Sequence, residues 1–343
     1  MDEIRLLELK EYRDRIIKKH LIFILLSFLI SITFTIVYFL YFTYKNSFLF
    51  LFMLIILHSP MYIYVFLSEI KPKKRYQYSM GISLILILCY SSSIIIFKNT
   101  KYYQILLYLI TLCIYHYTEF FSELLFHFKD LQKDAFLVYQ NKNWVISTTS
   151  SFVEYFIEIF FFPKLKSIKI LFILGLIMTV IGQYFRIAAL FTGKSNFTHK
   201  IQLTKRKTHV LVKHGIYSIC RHPSYFGFFI WSVGIEIMCV NPLCIISFTY
   251  ILFIFFKNRI EVEEKYLIKF FGMEYIKYKR KVGILIPFIN IDKESEKKYL
   301  TLYLKEHEDE INDEEINTFL NDDMDKKKEK EENDKNDNKQ KNE

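Results

Sequence analysis

Residues 21–44, LIFILLSFLISITFTIVYFLYFTY, decide the fold. The run contains no Asp, Glu, Lys or Arg. A helix needs about 20 consecutive apolar residues to cross a hydrocarbon core ~30 Å thick. The run closes in tyrosines, whose amphipathic rings suit the membrane interface. Before it stand Arg5, Lys10, Arg13, Arg15, Lys18 and Lys19. A basic leader ahead of an apolar stretch has the outline of a secretory signal. This stretch, however, exceeds the roughly 7–15 residues of a signal core and lacks a small-residue cleavage site. Residues 1–20 therefore read as a basic cytosolic N-terminus, and the run as the first membrane helix.

Outward from that helix the pattern repeats. The chain has 343 residues, 52% of them hydrophobic and 24% charged, and the charges cluster between long uncharged runs. About eight spans are expected, near 21–43, 48–68, 79–97, 102–126, 145–163, 167–191, 224–240 and 243–257. The fold class is all-α, a polytopic transmembrane helical bundle. Asn241 and Pro242 interrupt an otherwise continuous apolar stretch, and Pro has no N–H to continue a helix, so the last two spans should form a hairpin. Residues 21–126 read as N-terminal membrane helices, 127–291 as a catalytic membrane core, and 292–343 as a charged tail expected to be disordered.

Lys and Arg should gather in cytosolic connections. They do so at the N-terminus, at Lys71, Lys73, Lys74 and Arg75, and from Lys194 to Arg221, while Lys45 and the Asn241 turn mark the far side. Lys164, Lys166 and Lys169 break the alternation, which leaves room for a re-entrant span. The net charge of +10 is thereby a matter of topology. Basic and acidic residues alternate in the tail, so nucleic acid is not an expected partner. Cys89, Cys113, Cys220, Cys239 and Cys244 form no CxxC pair and read as reduced packing residues. His20, His58, His127 and His307 lack ligand spacing, and no metal is expected.

The densest group of special residues lies on the basic side: Gln202, His209, Val210, Leu211, Val212, Gly215, Tyr217, Arg221, His222, Pro223, Ser224 and Tyr225. Pro223 occupies the position proline prefers at a helix start, and the free N–H groups there suit an anionic ligand. On pattern alone the group is either a ligand site or an interfacial anchor. Beyond the hairpin, Arg259 and Glu263 stand four residues apart on one helical face. They form either an exposed ion pair of small consequence or charges lining a cavity at a membrane boundary. Glu119 and Glu123 with His116, Glu154 and Glu158, and Arg186 are intramembrane polar groups, each either a structural pair or a site wall. Glu236 is an unexpected acid within the seventh span, which protonation or pairing would accommodate. Phe228, Phe229, Trp231 and Phe255 are candidates for a lipid groove, although such aromatics more often face lipid or core.

The run HVLVKHGIYSICRHPSYFGFFIW at 209–231, with SNFTH at 195–199, NP at 241–242, RIEVEE at 259–264, FFGMEYIKYKRKV at 270–282 and PF at 287–288, closely resembles the isoprenylcysteine carboxyl methyltransferase family over roughly residues 116–290. The resemblance implies methyl transfer from S-adenosylmethionine to the C-terminal carboxylate of prenylated cysteine, with prenylated proteins and membrane lipid as partners and the endoplasmic reticulum as location. It implies Gln202, His209, Val210, Leu211, Val212, Tyr217, His222, Pro223, Ser224, Tyr225 and Glu263 as the cofactor set. Within that set, backbone groups of Val210 and Leu211 are expected on the adenosyl part, His222 and Tyr225 on the amino-acid part, and Glu263 on a cationic or hydroxyl group. Arg259 is implied as the acceptor-carboxylate residue. RHPSYFG alone is less specific, since related motifs occur in phospholipid methyltransferases and sterol reductases. A phospholipid N-methyltransferase or a membrane sterol reductase is therefore the competing expectation. A transporter fits poorly, because no inverted repeat is visible.

Overall fold

The computed structural model describes residues 72–97, 101–127, 136–137, 142–206, 208–286, 289 and 293–306, together with 11, 14, 15, 18 and 22. The described residues contain helices and no strand. The long helices are α1 (Pro72–Phe97), α2 (Tyr103–Phe126), α3 (Lys142–Phe161), α4 (Lys169–Gly193), α5 (Pro223–Cys239), α6 (Pro242–Lys281) and α7 (Lys293–Glu306). Six of the expected spans correspond to α1–α6, while those near 21–43 and 48–68 lie outside the described residues. Tyr103–Phe126, Lys169–Asn196 and Pro242–Lys281 are long and apolar enough to cross a membrane, and the apolar helices Met80–Ser92 and Pro223–Cys239 are shorter.

The chain divides into two compact units. Residues 1–201, 208–260 and 281–289 make the first, and residues 202–207, 261–280 and 290–343 make the second. In the first unit α4 and α5 run antiparallel at backbone distance. Gly175 and Gly182 on α4, two turns apart, face Gly234 and Gly227 on α5. A Cβ on Gly182 would stand 2.3 Å from the Trp231 nitrogen, and one on Gly175 would stand 2.1 Å from the Met238 nitrogen. Small residues permit this approach, which replaces the hydrophobic driving force that membrane helices lack. Aromatic residues fill the space around the pair: Tyr108 and Tyr115 from α2, Tyr155 from α3 and Trp231 from α5 share one core.

The α5–α6 hairpin is clasped by buried polar groups. Helix α5 ends with Val240 in the left-handed region, and α6 starts at Pro242. The ammonium of Lys166, from the 3-10 turn between α3 and α4, shares its three N–H groups among the carbonyls of Cys239 (2.8 Å) and Val240 (2.9 Å), Asn241 Oδ1 (2.8 Å) and Glu158 (2.6 Å). It thus satisfies the carbonyls a helix end leaves open. The carboxylate of Glu154 accepts from the backbone N–H groups of Leu243 (2.7 Å) and Cys244 (2.8 Å) at the start of α6, where a negative charge is favoured. Glu236 accepts from Ser151 (2.6 Å) and Asn241 (2.9 Å). Of the three lysines that break the positive-inside alternation, Lys166 is consumed inside the fold, while Lys164 and Lys169 are exposed. The cysteines with described side chains, Cys113, Cys220, Cys239 and Cys244, are free and buried.

In the second unit Gly272 has a left-handed φ of 48° that interrupts α6. The ring of Tyr303 lies where a Cβ on Gly272 would stand, 2.1 Å from its nearest atom. That anchor, with the buried Leu300, gives residues 293–306 a helical register within the segment expected to be a disordered tail. Residues 307–343 lie outside the described residues. Lys205 donates to the Phe270 carbonyl at 2.6 Å, and Lys279 pairs with the buried Glu264 at 3.6 Å.

Candidate functional site

Of the expected site residues in the first unit, His222, Tyr225 and Arg259 meet where α5 begins. Residues 208–214 carry neither helix nor strand. Among the described residues, the backbone groups of Leu211 and Val212 meet no hydrogen-bond partner within the chain. The Val210 amide is turned to Asn196 Oδ1 at 2.9 Å. The segment then tightens. Gly215, at φ +58°, opens the 3-10 turn Gly215–Ser218, and the Tyr217 hydroxyl donates to the Ala189 carbonyl of α4 at 3.3 Å. Residues 220–221 are pinned to the stretch after α6: the Arg221 amide donates to the Gly283 carbonyl (2.9 Å), Cys220 Sγ to the Ile284 carbonyl (2.9 Å), and the Arg221 guanidinium to the Val282 carbonyl. Burial pushes the Cys220 thiol up to about 12, so at neutral pH it is a protonated packing group and no nucleophile.

His222 is the N-cap position of α5, with Pro223 at its first turn. His222, Pro223 and Ser224 are buried and Tyr225 is half-buried. The rings of His222 and Tyr225 stack with centroids 5.6 Å apart and planes within 3°, and Tyr225 stacks in turn on Phe256 of α6 at 5.2 Å. Arg259, one turn beyond Phe256, is half-buried beside this stack. Its Nε donates to the Tyr225 hydroxyl at 2.8 Å, its Nη2 donates to the His199 carbonyl, and its guanidinium lies 5.4 Å from the Tyr225 ring centre. A guanidinium has five N–H donors, so three remain after these two bonds.

The wall behind Arg259 contains groups the sequence left undecided. Glu119 on α2, wholly buried, pairs with Arg186 on α4 at 2.6 Å. Arg186 also donates to the Ser224 hydroxyl. His199 Nε2 lies 3.4 Å from Glu119 and 3.3 Å from Glu123. An open cleft is lined by Trp144, Phe228, Trp231, Glu236, Ile251 and Leu252, and Phe228 packs against Phe256 with ring centres 6.0 Å apart. Phe228 and Trp231 thus face a cavity. Phe229 is buried in the core that Phe256 and Ile260 share, and Phe255 is half exposed to the surroundings. Gln202 and Glu263 belong to the second unit, each partly buried there.

The described residues contain no cluster able to hold a metal ion. The site holds an aromatic stack, the open backbone groups of Leu211 and Val212 and a fixed guanidinium. The chain matches known proteins. The family model of the isoprenylcysteine carboxyl methyltransferase (ICMT) family matches residues 174–269. The protein-S-isoprenylcysteine O-methyltransferase of Saccharomyces cerevisiae is 38% identical over 200 residues, which span 57% of this chain and 84% of the yeast one. The chain belongs to the isoprenylcysteine carboxyl methyltransferase family. The human protein-S-isoprenylcysteine O-methyltransferase is 39% identical over 58% of this chain and 70% of its own. The match to the Tribolium castaneum enzyme of the same name, 43% identical, spans 53% of this chain and 65% of that relative. A solved structure described as the eukaryotic intramembrane Ras methyltransferase ICMT superposes with a TM-score of 0.71 at 34% identity, covering 78% of this chain and 96% of its own. The family match contains α5, Arg259 and most of α4, whereas Glu119 and Glu123 on α2 lie before it.

Proposed function

We propose that the chain transfers a methyl group from S-adenosylmethionine to the C-terminal α-carboxylate of prenylated cysteine on processed proteins, at a site facing the cytosol from an intracellular membrane, the endoplasmic reticulum by family resemblance. The observation that carries the reading is Arg259. It is a permanently charged group with three N–H donors to spare, held beside an aromatic stack whose Phe256 also packs on Phe228, a residue that lines an apolar cleft. A guanidinium matches a carboxylate with two parallel hydrogen bonds. An amine acceptor, as in a phospholipid N-methyltransferase, would be repelled there.

The donor set also fits the cofactor. The open backbone groups of Leu211 and Val212 suit a nucleoside edge, and His222 and Tyr225 stand as cofactor residues on the resemblance, their rings being stacked on each other and on Phe256. His209, Val210, Tyr217, Pro223 and Ser224 complete this side, and Gln202 and Glu263 stand as cofactor residues on the resemblance alone. When bound, S-adenosylmethionine supplies a methyl group on a positively charged sulfur. The acceptor carboxylate, with an α-carboxyl pKa of ~3.5, is already ionised at neutral pH, so no general base is required. Arg259 holds and aims it. The cleft lined by Trp144, Phe228 and Trp231 takes the prenyl chain and keeps water from the reacting atoms. The chain's contribution is therefore proximity and orientation, effects that supply ~7–11 kcal/mol in well-aligned reactions.

Membranes containing the protein, given tritiated S-adenosylmethionine and a farnesylcysteine analogue with a free carboxylate, should accumulate base-labile label. Catalytically competent membranes that label no such acceptor would overturn the assignment.

A further inference from the structure

Arg259 is held from two sides, and both holds lead back to one buried ion pair. Its Nε bonds the Tyr225 hydroxyl and its Nη2 the His199 carbonyl. Tyr225 follows Ser224, whose hydroxyl accepts from Arg186. The His199 ring sits against Glu119 and Glu123, at 3.4 and 3.3 Å. Arg186 and Glu119 are bonded to each other at 2.6 Å and are 7% and 0% exposed. The Arg186 guanidinium also lies 5.6 Å from the Phe197 ring, two residues before His199. α2, α4, the 197–199 segment and the first turn of α5 therefore converge on the residue that meets the acceptor.

We infer that Glu119 and Arg186 are positioning residues for the acceptor carboxylate: the pair fixes His199 and the first turn of α5, and these fix the Arg259 guanidinium. The inference rests on the assignment of Arg259 to the acceptor carboxylate. A purely structural pair would be dispensable to function once replaced by packed apolar groups, since such replacement is often neutral or stabilising. The positioning role separates from that one through the ligand. Glu119 and Arg186 act on the carboxylate grip alone, so their loss should weaken carboxylate acceptors and leave prenylcysteine amides, which cannot form the ionic fork, unaffected.

The test uses the full chain in detergent or nanodiscs, with four variants: Glu119→Gln, Glu123→Gln, Arg186→Met and the double variant Glu119→Leu/Arg186→Met. KM for farnesylcysteine, Kd for S-adenosylmethionine and Ki for the matching farnesylcysteine amide are compared with wild type. Misplacement of an aligning group costs up to about 100-fold. The expected result is a rise of about tenfold or more in acceptor KM for Glu119→Gln and for the folded double variant. Glu123→Gln should show a smaller rise, with cofactor Kd and amide Ki within about twofold of wild type. Equal weakening of acid and amide, or an unchanged acceptor KM in a folded double variant, overturns the positioning role. Wild-type protein that methylates no prenylcysteine defeats the proposed function itself, a distinct outcome.

Discussion

Removing the Arg259 guanidinium isolates the acceptor grip from the rest of the site. Arg259→Ala deletes the three spare donors and the two bonds to Tyr225 and His199. A hydrogen bond to a charged group contributes about 1.5–3 kcal/mol, and a carboxylate held by two would lose ~3–6 kcal/mol. Arg259 is only half-buried, so solvent screening places the loss toward the lower end. About 3 kcal/mol corresponds to a fall of ~150-fold in kcat/KM for farnesylcysteine. Most of it should fall in KM, because the grip exists in the ground state as well as in the transition state. Arg259→Lys keeps the charge but loses the planar fork and should recover only part of the loss. Initial rates with tritiated S-adenosylmethionine give kcat and KM, and calorimetry on detergent-solubilised protein gives cofactor Kd. Loss of cofactor binding in parallel with acceptor binding would place Arg259 on the donor, and a fall of under about threefold would remove it from the site.

Lys166→Met should destabilise the protein by about 3–5 kcal/mol, since it leaves Glu158 buried without its cation and the last carbonyls of α5 without a donor. An unchanged thermal midpoint in detergent would contradict that role. Gly182→Ala should cost at least the ~1–3 kcal/mol of overpacking, because the new methyl group meets the backbone of Trp231 and Gly227, which cannot swing aside. A wild-type melting curve would show that α4 and α5 are further apart than described. Because burial holds the Cys220 thiol at about 12, it stays protonated at pH 8. Mass spectrometry should find iodoacetamide on Cys220 only after unfolding, and labelling of the native protein at a free-thiol rate would refute its burial.

Helices along the apolar runs from residue 79 to residue 257 were legible because apolar length is a local property, and so was the α5–α6 turn, written in Asn241 and Pro242. The loaded segment was legible for the same reason: His222, Pro223 and Tyr225 lie within four residues and form one helix start, where His222 and Tyr225 stack. The partners of isolated charges were not legible. Lys166 counted as a loop charge because the acceptors it meets, at Cys239, Val240 and Asn241, are more than 70 residues away. Glu236 looked anomalous without Ser151, 85 residues earlier. Glu119 and Arg186 left structural pair and site wall equally open until helix packing put both behind Ser224 and His199. The His199 contact with Arg259 runs through a main-chain carbonyl, which any residue type possesses. Residue identity therefore carried no sign of it.

The charge arrangement around Arg259 also suits the reaction's own change in charge. Methyl transfer to a carboxylate removes one negative charge from the acceptor and one positive charge from the donor sulfur, and both products are neutral at the reacting atoms. A poorly polar surrounding favours that direction, because it holds separated charges less well than water does. An unbalanced cation at the site would oppose it by stabilising the ionised acceptor. Arg259 is instead shared with the chain: its guanidinium is already engaged by the Tyr225 hydroxyl and the His199 carbonyl. Its hold on the acceptor is strong enough to aim the carboxylate and shared enough to release the ester. On this argument Glu119→Gln has two opposed effects. It loosens the aim of Arg259, and it leaves the guanidinium more positive toward the carboxylate. The rise of about tenfold or more in acceptor KM expected for this variant, at nearly constant kcat, means that aim dominates, and a fall in KM together with kcat would overturn the positioning role.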